Sequence, residues 1–239
     1  MRFYRPISAI KAMTFDLDDT LYDNSPVIEA AENALLAHIT SRYPKTSALP
    51  KHEWQKIQRG LISQTPELAS DMGQLRLRTL RAALQHDITA EDALDIAAQE
   101  CFDCFYGARS NLQLEEHVHE VLAVLSHRIP LIGITNGNVD AQRIGIQPYF
   151  STIYHASLER PMKPHPHMFD EAVAHINVPH AQILHVGDNL IKDVYGAISA
   201  GFQAAWFACD RPMILNQEPV HVLPHVALDS FNELLLLVD

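Results

Sequence analysis

The spacing of apolar residues along this chain changes character twice. Residues 7–15 form a mainly apolar run that closes on Met13-Thr14-Phe15, the pattern of a strand covered on both faces of a parallel sheet. Over residues 24–110 the period becomes helical: Val27, Ile28, Ala31, Leu35 and Ile39 recur on one face, as do Leu75, Leu77, Leu80 and Leu84, then Ala93, Ile96 and Ala97. This stretch is Ala-, Leu-, Gln- and Glu-rich and nearly free of glycine, and prolines at Pro44, Pro50 and Pro66 divide it, so a small helical bundle is expected. From Leu112 onward helical and strand patterns alternate, with strands predicted at residues 129–135, 152–156, 182–186 and 203–208. A helix over residues 189–200 is expected to stop at Gly201. Such alternation predicts an α/β fold, a parallel sheet with helices on both faces, interrupted after its first strand by a helical insertion.

Polar chemistry collects where the apolar runs end. Asp16, Asp18 and Asp19 follow the first run, and in an extended segment Asp16 and Asp18 point to one side. Two carboxylates in one small volume need a cation or a shared proton, and a divalent metal answers that need. Taken alone, the cluster also reads as an Asp-rich turn, and Asp19 with Thr20 reads that way best. The second run breaks into Thr135-Asn136-Gly137, a hydroxyl, an amide and a glycine suited to cradling phosphate. Pro161-Met162-Lys163-Pro164 places one cation in a rigid turn, and the third run ends in Gly187-Asp188 with Asp193 five residues further on. Open α/β sheets bind ligands at the carboxyl ends of their strands, where these groups would meet.

Asp16-x-Asp18-x-Thr20, then strand-end Thr135, Lys163 and Gly187-Asp188-x-x-x-x-Asp193, in that order, resemble the haloacid dehalogenase superfamily over nearly the whole chain. At closer range, Met1 to Pro6 followed by Thr14 to Asn24 resembles bacterial flavin mononucleotide hydrolases that are also assigned as 5-amino-6-(5-phospho-D-ribitylamino)uracil phosphatases. The resemblance implies a Rossmann-like core of residues 1–23 and 111–239, with residues 24–110 as a helical cap over the site. It implies a Mg²⁺-dependent phosphomonoesterase in which Asp16 attacks phosphorus to give an aspartyl-phosphate. Mg²⁺ would be held by Asp16, the main-chain carbonyl of Asp18 and the side chain of Asp188, an oxygen-only set that favours it over Zn²⁺. Asp18 would act as general acid and then base. Thr135 and Lys163 would grip the phosphoryl group, with Asn136 as a further contact, and Asp193 would orient the lysine and the metal's water. Dehalogenases of this fold lack a carboxylate two residues after the nucleophile, since halide needs no proton, so Asp18 argues against carbon–halogen cleavage. Flavin mononucleotide or the ribitylaminouracil phosphate is the expected substrate. A 5′-nucleotidase or sugar phosphatase of the same fold is the alternative, and a phosphoryl-accepting signalling module is the rival from another class. Chain length and the insertion oppose the last.

Composition narrows the setting. The chain has 239 residues, 47% of them hydrophobic, and no apolar stretch near the roughly 20 residues that cross a bilayer. Its first residues lack the apolar centre of a secretory signal, and a cytoplasmic location is expected. A net charge of −11, from 29 acids against 18 bases, opposes nucleic acid and anionic membrane as partners. An anionic metabolite must then meet a local positive site, which a metal and Lys163 would supply; no protein partner is indicated. Cys101 and Cys104 have the spacing of a metal or redox half-site but lie in a helical segment without a second pair, so they read as core residues. His165 and His167 read as exposed loop residues, and Arg76, Arg78 and Arg81 fit either a solvated helix face or the distal end of a substrate. Ser230 and Glu233 have capping-box spacing.

Overall fold

The structure, a computed structural model, describes residues 1–238. Asp239, the last residue of the expected core, lies outside the described residues. Seven strands form one sheet: β1 (Arg2–Phe3), β2 (Ala12–Phe15), β3 (Leu131–Thr135), β4 (Thr152–His155), β5 (Ile183–Gly187), β6 (Gln203–Trp206) and β7 (Val226–Ala227). Their order is β1-β7-β6-β5-β2-β3-β4, and every pairing is parallel except β1 with β7. The unbroken apolar runs have the cause assigned to them: β2, β3, β5 and β6 are buried at every position. On one face Phe15, Leu122, Leu125 and Phe231 share a core, and on the other Ile132, Ile134, Phe169 and Trp206 do.

Register brings the strand ends together. In β2, Phe15 lies opposite Gly133 of β3 and Val186 of β5, and the Asp16 N–H donates to the Val186 carbonyl at 2.9 Å. The chain leaves β2 with a neighbour already on either side, so a crevice opens above its carboxyl end.

Residues 24–109 form five α-helices, α1 (Asn24–Arg42), α2 (Pro44–Ser47), α3 (Lys51–Gln64), α4 (Met72–Leu84) and α5 (Glu91–Arg109), with a 3₁₀-helix, Pro66–Ala69, between α3 and α4. The Asp23 carboxylate caps α1 by accepting from the Ser25 N–H, and Pro44 opens α2 at a position where the missing N–H costs nothing. Ala31, Leu35 and Ile39 of α1 pack with Leu80 and Leu84 of α4 and with Leu94, Ala97, Cys101 and Phe105 of α5 in a core of their own. Two further helices, α6 (Glu116–Arg128) and α7 (His167–Ile176), flank the sheet. Among the described residues no helix is long and apolar enough to cross a membrane.

Three expectations need correction. The first strand is residues 12–15 rather than 7–15, because Ser8 and Lys11 interrupt the run and face solvent. The helix expected over 189–200 is a π-helical turn, Leu190–Tyr195, followed by a short α-helix, α8 (Gly196–Ser199). Its first turn is widened where the Val194 N–H donates to the Asn189 carbonyl, five residues back, at 3.2 Å; Asn189 Oδ1 caps the turn by accepting from the Ile191 and Lys192 N–H groups, and Asp193 folds back onto the Asn189 N–H. It still stops before Gly201, whose φ of +86° only glycine adopts at ease. The capping box at Ser230 does not form, since the segment is a 3₁₀-helix and Glu233 instead accepts from the Met1 amino group and the Asp229 N–H, each at 2.8 Å.

Candidate active site

Asp16, the first residue beyond β2, is 7% exposed and lies against Lys163, whose Nζ reaches Asp16 Oδ1 at 2.6 Å and Asp193 Oδ1 at 2.7 Å. Lys163 itself is 1% exposed, and a buried ammonium is tolerable only when carboxylates surround it as here. Asn136 fixes the lysine's backbone from both sides, accepting from the Lys163 N–H at 2.8 Å and donating to the Lys163 carbonyl at 3.0 Å. Thr135, buried at the end of β3, accepts from the Gly137 N–H at 3.0 Å. Asp193 is held on the other side by His185 of β5, 3.2 Å away, and His185 reaches Thr14 of β2 at 2.8 Å. A Cβ on Gly187 would stand 2.4 Å from Asp193 Cγ, so glycine is required where the π-helical turn returns over the strand.

Oxygens of Asp16, Asp188 and Asp193 lie within 4.8 Å of one another. Burial pushes Asp16 well above the usual carboxylate range, against the pull of Lys163. Burial also raises Asp188, to about 7, with Asp193 adding to the rise and Arg211 opposing it. Burial would raise Asp193 as well, but Lys163 and His185 hold it below its usual range. Two acids that resist ionisation beside one that stays ionised are short of positive charge, and an all-oxygen donor set fits Mg²⁺.

Asp18 shares the cleft but not the trio. Its Oδ1 accepts from Arg109 of α5 and from the Tyr22 hydroxyl, while its Oδ2 sits 2.4 Å from the position a Gly137 Cβ would occupy. Asp19 takes a left-handed φ of 60° and accepts from the Asn24 N–H at 2.9 Å, a turn role. The cleft has a volume of about 350 Å³ and reaches from Asp16 to Met72, Arg76 and Phe105 of the helical region. Of the three arginines in question, Arg76 lines it, 3.5 Å above the Phe105 ring and paired with Glu32 at 2.9 Å. Arg81 pairs elsewhere with Glu91 and Asp95. His165 and His167 lie outside the lining; their rings stand 6.4 Å apart, and His167 faces Glu171. Cys101 is buried and Cys104 half-buried within α5.

Sequence reasoning missed Arg109, Arg211 and His185. Arg211 donates to Asp188 Oδ2 at 3.0 Å and to its carbonyl at 3.1 Å, from a loop with no pattern. His185 is hidden inside an apolar run, where it reads as core.

The chain is similar to known proteins. The chain is 34% identical over 239 residues, all of both sequences, to the 5-amino-6-(5-phospho-D-ribitylamino)uracil phosphatase YigB of Escherichia coli (strain K12). It is 30% identical to the glyceraldehyde 3-phosphate phosphatase of Pyrococcus abyssi (strain GE5 / Orsay), over 83% of this chain and 81% of that one. The crystal structure of a 2-haloacid dehalogenase from Pseudomonas syringae pv. Tomato DC3000 matches with a TM-score of 0.89 at 32% identity, covering 95% of this chain and 97% of that one. The family profile described as hydrolase, haloacid dehalogenase-like hydrolase, matches residues 10–201. With four-fifths of its length matched by that profile and its full length by a relative above 30% identity, the chain belongs to the haloacid dehalogenase-like hydrolases.

Proposed function

We propose that this chain hydrolyses small phosphate monoesters, with Asp16 as the nucleophile and Mg²⁺ as cofactor. The observation that carries this reading is Lys163 Nζ bridging Asp16 and Asp193 beside Asp188, at the carboxyl ends of the adjacent parallel strands β2 and β5. Asp16 attacks phosphorus, its carboxylate oxygen forms the new P–O bond, and the ester oxygen departs; water then attacks the aspartyl-phosphate and restores Asp16. Mg²⁺, held by Asp16, Asp188 and the main-chain carbonyl of Asp18 with Asp193 alongside, would neutralise the phosphoryl oxygens that otherwise repel a carboxylate. Lys163 and Thr135 meet the charge that spreads over those oxygens, and Asn136 keeps Lys163 in place. Asp18 gives a proton to the departing oxygen and takes one from the attacking water. That carboxylate favours phosphate over halide, which leaves without a proton.

Residues 24–110 act as the cap that selects the leaving group, since the core residues reach only the phosphoryl end. Flavin mononucleotide or 5-amino-6-(5-phospho-D-ribitylamino)uracil is the proposed substrate, on the strength of the full-length likeness to the Escherichia coli phosphatase. A cytoplasmic location accords with three free cysteines.

The test is phosphate release from a panel of phosphorylated metabolites, with Mg²⁺ and with excess chelator. The ribityl phosphates should rank above simple sugar phosphates and nucleoside monophosphates, and chelation should silence all. Preference for nucleoside monophosphates by about tenfold in kcat/KM, roughly 1.4 kcal/mol, would establish the nucleotidase alternative. Full activity in chelator would remove Mg²⁺ from the scheme.

A further inference from the structure

Arg109 is an expensive residue to keep where it is. It sits in the last turn of α5 at 1% exposure, and its Nη1 has no partner among the described residues. A buried guanidinium loses several kcal/mol of hydration, and an apolar side chain of similar volume commonly serves packing as well or better. Its other terminal nitrogen, Nη2, is fully engaged: it donates to Asp18 Oδ1 and lies 3.2 Å from the Tyr22 hydroxyl oxygen, while the Tyr22 hydroxyl donates to that same Oδ1. Two fixed donors therefore occupy one oxygen of Asp18. The other oxygen, Oδ2, faces Gly137 so closely that any side chain there would meet it. The carboxylate is thus clamped through Oδ1, while the absence of a side chain at Gly137 leaves Oδ2 uncovered on that side.

We propose that Arg109, with Tyr22, is a positioning residue that commits Asp18 Oδ1 and leaves Oδ2 as the oxygen through which protons pass. The inference rests on the reading of Asp18 as general acid and base. Asp18 Oδ2 delivers its proton to the ester oxygen as the P–O bond breaks, and recovers one from water when the aspartyl-phosphate is hydrolysed. Tyr22 and Arg109 stand at the two crossings between the sheet and the helices of residues 24–109, so the aim of Asp18 is tied to how those helices seat on the core. Proton transfer depends steeply on such aim, and a displacement of ~1 Å costs about a hundredfold in rate.

The leaving group separates positioning from general damage. An alkyl phosphate needs a proton on its departing oxygen, whereas p-nitrophenyl phosphate does not, and kcat/KM reports the step in which that oxygen leaves. Arg109→Met should lower kcat/KM for β-glycerol phosphate by about a hundredfold and fall far less for the aryl ester. With the aryl ester it should show a burst of nitrophenol followed by slow turnover, because water attack on the aspartyl-phosphate also needs Asp18. Arg109→Lys should recover part of the alkyl activity, and Tyr22→Phe should show the same selectivity with a smaller loss. On an Asp18→Asn background, Arg109→Met should cost nothing further, since the residue it positions is gone. If Arg109→Met does not fold, as judged by thermal melting, Tyr22→Phe carries the same comparison alone. Equal loss on both esters, or additive losses with Asp18→Asn, would overturn the positioning role while leaving the phosphatase reading intact. Wild-type protein that cleaves neither ester, or an Asp18→Asn enzyme with no leaving-group preference, would instead overturn the acid–base reading beneath it.

Discussion

Lys163 is where the charge of the site is balanced, because one buried ammonium serves two buried carboxylates. Replacing Asp16 by Asn removes the proposed nucleophile but leaves the Lys163–Asp193 pair, so the fold should survive while turnover is lost. Activity within about tenfold of wild type, a barrier change near 1.4 kcal/mol, would show that Asp16 is not the nucleophile. Lys163→Met is a different case: it strands Asp16 and Asp193 without their cation, and breaking a buried pair in this way costs about 3–5 kcal/mol. Melting temperature, phosphate affinity and kcat should then all fall, and a change confined to melting would make Lys163 structural. The acids and the lysine were legible because each follows an apolar run or a rigid turn, where a polar residue has few reasons to be. Arg109 was not, since a basic residue in the last turn of a helix is ordinarily accounted for by the helix dipole. Its partner Asp18 lies 91 residues away, a separation that no local pattern can reveal.

At the scale of elements, the site is built from close approaches between backbone and side chain. Gly187 ends β5 under the π-helical turn, and an added Cβ would stand 2.4 Å from Asp193 Cγ. Gly187→Ala must therefore push Asp193 aside, and with it the contacts to Lys163 and His185. Overpacking of this kind costs about 1–3 kcal/mol, so urea unfolding should shift accordingly, and activity should fall by more than stability alone accounts for. Wild-type stability and turnover in Gly187→Ala would mean that Asp193 tolerates displacement. The central strands were legible because a short, unbroken apolar run bounded by turn residues suits a strand covered on both faces, as β2, β3 and β5 are. The strands β1 and β7 were not, since two residues carry no period and their pairing joins the two ends of the chain. The π-helical turn was hidden for a related reason: the apolar spacing of so short a segment is the same whether the Asn189 carbonyl accepts from the N–H four or five residues on.

For the whole molecule, the helical character of residues 24–109 and the alternation of helix and strand that follows were legible in the change of period at about residue 24 and its return at about residue 112, but the way the helices meet the sheet was not. The ends of β2 and β5 concentrate acids in a protein that already carries a net charge of −11, and this sets how stability responds to pH and metal together. Asp188 titrates near 7 when folded against 3.8 in an ordinary setting, and Asp16 is shifted the same way. Between those values the folded chain holds a proton on Asp188 that the unfolded chain has lost, so without metal Asp188 lowers stability as pH rises from about 4 to 7, and Asp16, raised by burial, acts in the same direction. Asp193 works in the opposite sense, because its folded value is depressed: its contribution is present above the ordinary carboxylate range and is lost as pH falls through the lower folded value. Mg²⁺ held by Asp16 and Asp188 as proposed would need their ionised forms, so protons would compete with it, and the stabilisation a fixed Mg²⁺ concentration supplies should grow as pH rises. Melting curves with and without Mg²⁺ should show a small increment in Tm near about pH 5 and a larger one near about pH 8. Asp188→Asn should flatten that dependence, because the amide neither titrates nor binds the cation as strongly. An increment that is equal at both pH values, or one that persists unchanged in Asp188→Asn, would place the cation away from these carboxylates.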